Sequence, residues 1–238
     1  MRVFAELDST NAEAKRRAEA GEIGPVWLMA LRQTSGRGRR GRAWDGGQGN
    51  LTATLMLTLD RPPAEVAQLA YVAALAVGDL ADSYAPQAKA AFKWPNDVLI
   101  VGRKLAGVLI ESGPAPAGGL WLAIGVGVNL ANAPEAVERP ATALAAHGPA
   151  PKPEAAMTRL AQTFADHLTV WLEQGFEPIR RAWTARAAGV GGACEARLPS
   201  ETVRGRAEGL DADGALLLRL PSGEARRITA GDVFFGTL

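Results

Sequence analysis

The sequence is short of cysteine, histidine and net charge, and each shortage removes a class of protein. Cys194 is the only cysteine, so an intramolecular disulfide and a multi-cysteine metal site are both excluded, and a reducing compartment is the expected setting. The two histidines, His147 and His167, lie far in sequence from the motifs discussed below. His167 falls within an apolar helical pattern, where it reads as a helix-surface or core-edge residue. A formal net charge of +1 argues against a chain that wraps nucleic acid, so any electrostatic specialisation must be local. No run reads as long enough to span a bilayer, and the opening "MRVF" leads into polar residues without an apolar signal core. The expectation is a cytoplasmic protein with neither a membrane nor a nucleic acid as partner.

What is present is enough for a core. A chain of 238 residues, 47% hydrophobic and 21% charged, can bury one sizeable core and still supply a small second domain. The stretch "DSTNAE" has capping-box spacing between Thr10 and Glu13 and starts a helix that Gly21 ends. Residues 26–31 form an apolar run of strand length, and 51–59 alternate Leu/Ala with Thr/Met, the period of a half-buried strand. After Pro62-Pro63, residues 64–81 predict a largely buried helix carrying Val66, Leu69, Val72, Ala73, Ala76 and Leu80. The runs 98–101 and 105–110, joined by Gly102-Arg103-Lys104, predict a hairpin. Residues 120–128 predict a strand with Gly125 and Gly127 on one face; the missing side chains admit either a flat ligand or a closely packed helix. A helix over 154–174 directs Met157, Leu160, Phe164, Leu168, Trp171 and Leu172 inward, and a shorter helix around Ile179 and Trp183 ends near Gly189. Past Gly191-Gly192, runs at 203–210, 215–220 and 225–228, separated by turn residues, predict a small barrel-like β domain.

The stretch "GRGRRG", Gly36 to Gly41, spells the G-x-G-x-x-G pattern of dinucleotide sites. A strand precedes it, and Asp60 ends the next strand at a suitable distance. That fingerprint requires a helix directly after the loop to bind pyrophosphate, and residues 42–50 are glycine-rich with no apolar stripe. The arginines offer a different chemistry. Arg37, Arg39, Arg40 and Arg42 present forked donors suited to carboxylate and phosphate, on a backbone that Gly36, Gly38 and Gly41 allow to close around a ligand. A ligand bearing several negative charges fits; a solvated basic loop is the plain alternative. One such loop in a near-neutral chain is a poor footprint for nucleic acid.

Together with its neighbours this loop resembles the biotin protein ligases. The matching segments are "LDSTNAEAK", "RQTSGRGRRGRAW", "GNLTATLML", "FKWPNDVLIVGRKLAGVLIE", "IGVGVNL" and "PATAL", in the family's order, covering most of residues 7–145. The resemblance implies an α+β fold: a catalytic domain over 1–189, with a mixed sheet related to class II aminoacyl-tRNA synthetases, and an SH3-like β-barrel over 190–238. It implies ATP-dependent formation of biotinyl-5′-AMP, then transfer of biotin to a lysine of a biotin carboxyl carrier protein. Lipoate ligation is the nearest alternative; octanoyl transfer expects a catalytic-domain cysteine. The sequence starts at the catalytic core, without the helix-turn-helix segment of bifunctional members, so a repressor role has no support. Relatives commonly pair through a sheet edge, which raises a homodimer.

The same resemblance assigns residues. Ser9, Thr10, Asn11 and Gln33 meet the biotin head group, with Gly38 and Gly107 beside it; Ser9 to Asn11 read equally as a helix cap. Arg37 and Arg39 bridge the biotin carboxylate and the α-phosphate. Lys104 neutralises charge growing between the two and is the strongest catalytic candidate. Trp44 stacks on adenine, Asn96 and Asn129 hydrogen-bond the nucleoside, Lys93 meets phosphate, and Arg40 and Arg42 steer the polyphosphate or merely face water. Asp97 is the candidate ligand for the magnesium ion that ATP brings, or a structural turn residue. Thr52 stands where many relatives have tyrosine.

Overall fold

The computed structural model describes residues 1–135 and 140–236. The chain runs β1 (Arg2–Phe4), α1 (Thr10–Glu19), β2 (Val26–Ala30), β3 (Leu51–Leu59), α2 (Pro63–Val66) and α3 (Leu69–Tyr84). It continues β4 (Ala90–Lys93), β5 (Asp97–Ile100), β6 (Arg103–Pro114), β7 (Leu120–Val128), α4 (Pro153–Gln174) and α5 (Phe176–Thr184). Five strands close it: β8 (Ala193–Arg197), β9 (Thr202–Leu210), β10 (Leu216–Arg219), β11 (Ala225–Ile228) and β12 (Asp232–Phe235). The first seven strands form a mixed sheet in the order β1-β2-β3-β7-β6-β5-β4, in which only β1 and β2 run parallel. The last five form an antiparallel sheet, β11-β10-β9-β8-β12.

Helix α3 is apolar nearly all round because it lies between the sheet and α4; Val72, Ala73, Ala76, Val77 and Leu80 are fully buried. Each large side chain buried there contributes ~1.5–3 kcal/mol relative to exposure. Helix α1 covers the opposite face, packing Ala14 and Ala18 on Leu28, Met56, Trp121 and Ala123. The second sheet shares the main core: Cys194, Ala196, Val203 and Leu216 belong to one apolar cluster with Tyr71, Phe92 and Trp183. Tyr71 Oη and Trp94 Nε1 also donate to the carbonyl of Gly214 in the β9–β10 turn, which straps the two sheets together.

Several expectations need correction. Strand β3 is buried on both faces: Leu51, Ala53, Leu55 and Leu57 face α3 and α4, while Thr52, Thr54 and Met56 are covered from the α1 side. Its alternation marks two different environments rather than core and solvent. The capping box does not form; Ser9 is the N-cap without a side-chain bond, Thr10 turns to Gln33, and Glu13 pairs with Arg16 and Arg17. The helix expected over 64–81 breaks into α2 and α3 at Ala67 and Gln68. The span Pro63–Tyr84 is long and apolar enough by length and composition to cross a membrane, contrary to the sequence reading, yet two thirds of its apolar window is buried inside the protein. Leu172 is exposed, one position round α4 from buried Trp171. Helix α5 stops at Thr184, and strands β4, β8 and β12 carry too little periodic pattern to be read in advance.

Candidate active site

A cavity of about 320 Å³ opens on the face of the sheet next to the N-terminus of α1. It is lined by Ser9, Thr10 and Asn11 from α1, by Gln33, and by Arg37, Gly38, Arg39, Arg42 and Trp44 from the loop after β2. Asn96, Asp97, Lys104 and Gly107 line it from the β5–β6 hairpin, and Gly125, Gly127 and Asn129 from β7 and its end. Thr52 and Asp232 complete the part of the wall used below. Every residue assigned from the resemblance is on this wall except Arg40, which pairs with Asp232, and Lys93, whose Nζ lies 5.6 Å from the centre of the Phe234 ring on β12.

The floor at the α1 end is a closed polar network. The Thr10 amide donates to Gln33 Oε1 at 2.7 Å, and the Thr10 hydroxyl oxygen lies 3.1 Å from the same atom. The Thr54 hydroxyl lies 2.8 Å from Thr10 Oγ1 and 2.7 Å from Asn11 Oδ1. Asn11 Nδ2 donates to Leu109 O at 3.3 Å and to Glu111 Oε2 at 2.8 Å. The two glycines of β7 make room for different neighbours. A Cβ on Gly125 would come within 2.3 Å of Asn11 Oδ1, and one on Gly127 within 2.3 Å of the Trp44 indole. One glycine therefore admits a helix and the other an aromatic ring of the loop.

No pyrophosphate-binding helix follows the glycines: residues 39–41 make a single 3-10 turn and Arg42 is extended. Gly38 N bonds Arg42 O at 2.7 Å and Trp44 N bonds Gly36 O at 2.9 Å, so the loop closes on itself. Its arginines are spoken for in three ways. Arg37 lies 3.4 Å from Glu111, Arg39 reaches Asn96 Oδ1 at 3.3 Å and Gly231 O at 3.4 Å, and Arg40 and Arg42 converge on Asp232 at 3.1 and 2.8 Å. Burial pulls the Arg39 guanidinium below its ordinary range, Asp232 and Asp97 oppose that, and the like charges of Arg40 and Arg42 add to it. Asp232 belongs to β12, and only the spatial return of the second sheet brings it here; nothing near it in sequence marks it as part of the site.

Lys104 follows the tight β5–β6 turn, where Val101 and Gly102 both have positive φ. The pairing slips by one residue between Val98 and Leu99, so Leu105 is extra. That bulge lets Lys104 share the cavity face with Gly107, three positions on, which a regular strand forbids. Lys104 Nζ sits 2.6 Å from Asp97 Oδ1 and 5.5 Å from the centre of the Trp44 ring. Its backbone is clamped to the "PATAL" segment, with its N–H on Pro140 O at 2.8 Å and its carbonyl receiving Thr142 N at 2.9 Å. Two buried atoms on cavity residues, Trp44 Nε1 and Asn129 Oδ1, have no hydrogen-bond partner among the described residues. Each such atom costs ~1–3 kcal/mol until a ligand or water satisfies it. Among the described residues no group of three or more His, Cys, Asp or Glu side chains gathers to hold a resident metal.

A mixed sheet bearing this cavity, with cations on one side and a donor-and-acceptor floor on the other, defines a protein that takes up a small molecule with an anionic end. The model of the Biotin/lipoate A/B protein ligase family matches residues 4–129, and that of the Biotin protein ligase C terminal domain matches residues 190–236. The chain is 44% identical to a biotin--[acetyl-CoA-carboxylase] ligase of Paracoccus denitrificans, over 98% of this chain and all of that one. It is 35% identical to a ligase of the same name from Mycobacterium tuberculosis, over 97% of this chain and 87% of that one. Among solved structures it is similar to the biotin protein ligase of Aquifex aeolicus in complex with biotin and ATP, with a TM-score of 0.84 and 25% identity over 99% and 97% of the two chains. The Leishmania major enzyme in complex with biotinyl-5-AMP is similar at a TM-score of 0.64 and 26% identity, over 96% and 98%. The chain belongs to the biotin protein ligases of the biotin/lipoate A/B protein ligase family.

Proposed function

We propose that this chain is an ATP-dependent biotin--[acetyl-CoA-carboxylase] ligase. A biotin carboxylate oxygen attacks the α-phosphorus of ATP, pyrophosphate leaves, and biotinyl-5′-AMP forms. The amine of an acceptor lysine then attacks the acyl carbon, and AMP leaves. Substrate groups supply both electron pairs, so the protein contributes position and charge. The observation that carries the reading is the convergence of Lys104, Arg37 and Arg39 on one cavity whose far end is the Thr10–Gln33–Asn11 network.

That placement supports the roles that the resemblance assigns. The polar network holds the ring of biotin, beside Ser9, Gly38 and Gly107. Arg37 and Arg39 hold the carboxylate and α-phosphate together, and Lys104, aimed by Asp97, offsets the charge that builds between them. Trp44 gives the adenine a ring to stack on, and Asn96 and Asn129 bond the nucleoside; the unmatched Asn129 Oδ1 supports the last assignment. Arg42 exchanges Asp232 for phosphate, whereas Lys93 acts at a distance through its charge. Asp97, already paired with Lys104, would serve as the protein ligand of a magnesium ion that rides on the polyphosphate rather than of one held by the protein alone. The catalytic part spans 1–189 and the β domain 190–238, a division supported by the family match from residue 190. The acceptor is the biotin carrier domain of acetyl-CoA carboxylase, as the names of the relatives indicate.

The test is pyrophosphate release and mass spectrometry of the adenylate, with biotin or lipoate, ATP and magnesium. Biotinyl-5′-AMP is expected with biotin and no product with lipoate. A lipoyl adenylate, or no pyrophosphate from biotin, overturns the reading.

A further inference from the structure

Glu111 stands on β6, on the same face as Gly107 and Leu109, just behind the cavity wall. Its carboxylate reaches two residues of that wall, Asn11 through Oε2 at 2.8 Å and Arg37 through Oε1 at 3.4 Å. A carboxylate in its ionised form only accepts hydrogen bonds. Asn11 must therefore turn its amino group toward Glu111, and its second N–H goes to Leu109 O. Oδ1 is left against Gly125, where it receives the Thr54 hydroxyl. A carbonyl oxygen has two lone pairs, so one acceptor position remains, on a residue only 4% exposed. Gln33 has the opposite polarity. Its oxygen is taken by the Thr10 amide, the Thr10 hydroxyl giving its proton to Thr54 Oγ1, which leaves Nε2, beside Gly36, as the donor.

We propose that Glu111 is a positioning residue that sets the polarity of the ligand pocket: it locks the Asn11 amide with its oxygen toward the cavity, so the bound ring must bring an N–H to that point. This rests on the biotin ligase reading. A cyclic urea carries N–H groups flanking a carbonyl and meets one acceptor and one donor; a dithiolane ring offers no N–H. The same carboxylate lies 3.4 Å from Arg37 and holds it until a ligand carboxylate competes for it.

The experiment measures calorimetric affinity for biotin and for two analogues in which one or the other ureido N–H is replaced by oxygen. Wild type is expected to bind one analogue about tenfold more weakly than biotin, the cost of presenting a lone pair to a buried acceptor. Glu111→Met is expected to lower that ratio, because the Leu109 carbonyl at 3.3 Å and the rotatable Thr54 hydroxyl hold the Asn11 amide less firmly than the carboxylate does, and Glu111→Ala, at a half-exposed position, to do the same. Glu111→Gln keeps an acceptor oxygen and is expected to keep the ratio. Equal weakening toward biotin and both analogues, with the ratio unchanged in Glu111→Met, marks a merely structural role and overturns the proposal, as does a wild type that does not discriminate. Failure of the enzyme reading looks different, since wild type then has no affinity for biotin itself.

Discussion

At the scale of residues, the loop arginines and Lys104 are each held by a named partner. Lys104 is an isolated turn lysine in the sequence, and its value comes from Asp97 at 2.6 Å and from the bulge that turns it into the cavity. Removing a group that stabilises charge growing in a transition state costs roughly 10²–10³ in rate. Lys104→Ala is therefore expected to slow pyrophosphate release by about that factor, and Asp97→Asn, which keeps the shape but loses the charge, by less. Single-turnover kinetics separate the two, and a Lys104→Ala enzyme at full rate would remove Lys104 from the mechanism. A second prediction concerns Asp8, whose carboxyl the Arg16 guanidinium holds at about 2 against an ordinary 3.8. A lowered folded-state value stabilises the fold above the unfolded value, and that gain is lost as pH falls from about 3.8 through about 2. The pair is half-exposed, so the effect is small. Urea unfolding is expected to find Asp8→Asn slightly less stable than wild type at pH 7, with the difference shrinking as pH falls below 3.8 and gone only below about 2.

At the scale of elements, the loop over 36–50 is held at three places. Trp44 closes it on Gly36, Asn50 Oδ1 accepts the amides of Leu130, Ala131 and Asn132 at its far end, and Asp232 grips Arg40 and Arg42 at its tip. The grip is made of partly exposed ion pairs, each worth about 1 kcal/mol or less. Loosening it by Asp232→Asn is expected to raise tryptic cleavage of the loop about fivefold without ligand, since ~1 kcal/mol corresponds to that factor. Biotin with ATP is expected to protect the loop in both proteins by ordering it around the adenylate; cleavage indifferent to ligand would count against closure. The arginines and glycines of this loop were legible because they are consecutive, and their chemistry needs no partner to be recognised. Asp232 was not, because some 190 residues separate it from them and an isolated aspartate in a weakly patterned strand carries no signal. Strand β3 shows the same limit from another side: period two is visible, but whether the second face meets water, a helix or a cavity depends on what the rest of the chain places there.

At the scale of the whole molecule, the two sheets share one core, and α5 is the joint between them. Trp183, 2% exposed, lies edge-on to Tyr71 with ring centres 5.3 Å apart and stacks on Phe92 at 6.0 Å. Tyr71 in turn bonds the β9–β10 turn of the second sheet. Trp183→Ala is expected to cost ~3–5 kcal/mol. Fluorescence and circular dichroism are expected to report one coincident unfolding transition for both sheets; two separated transitions would show that the β domain folds independently of the catalytic part.

The sequence alone determined the local pieces: the hairpin turn before Lys104, the bare face of β7, the order of the arginines, the apolar helix over the sheet and the β-rich end. These follow from backbone preferences and periodicities that act over a few residues. Which groups meet was settled by packing: Glu111 with Asn11 and Arg37, Asp232 with Arg40 and Arg42, Trp44 with Gly127. Hydrogen bonds and ion pairs reach only a few ångströms, and the chain distances they bridge, from 74 to 192 residues in the ionic cases, become short only once the core has packed.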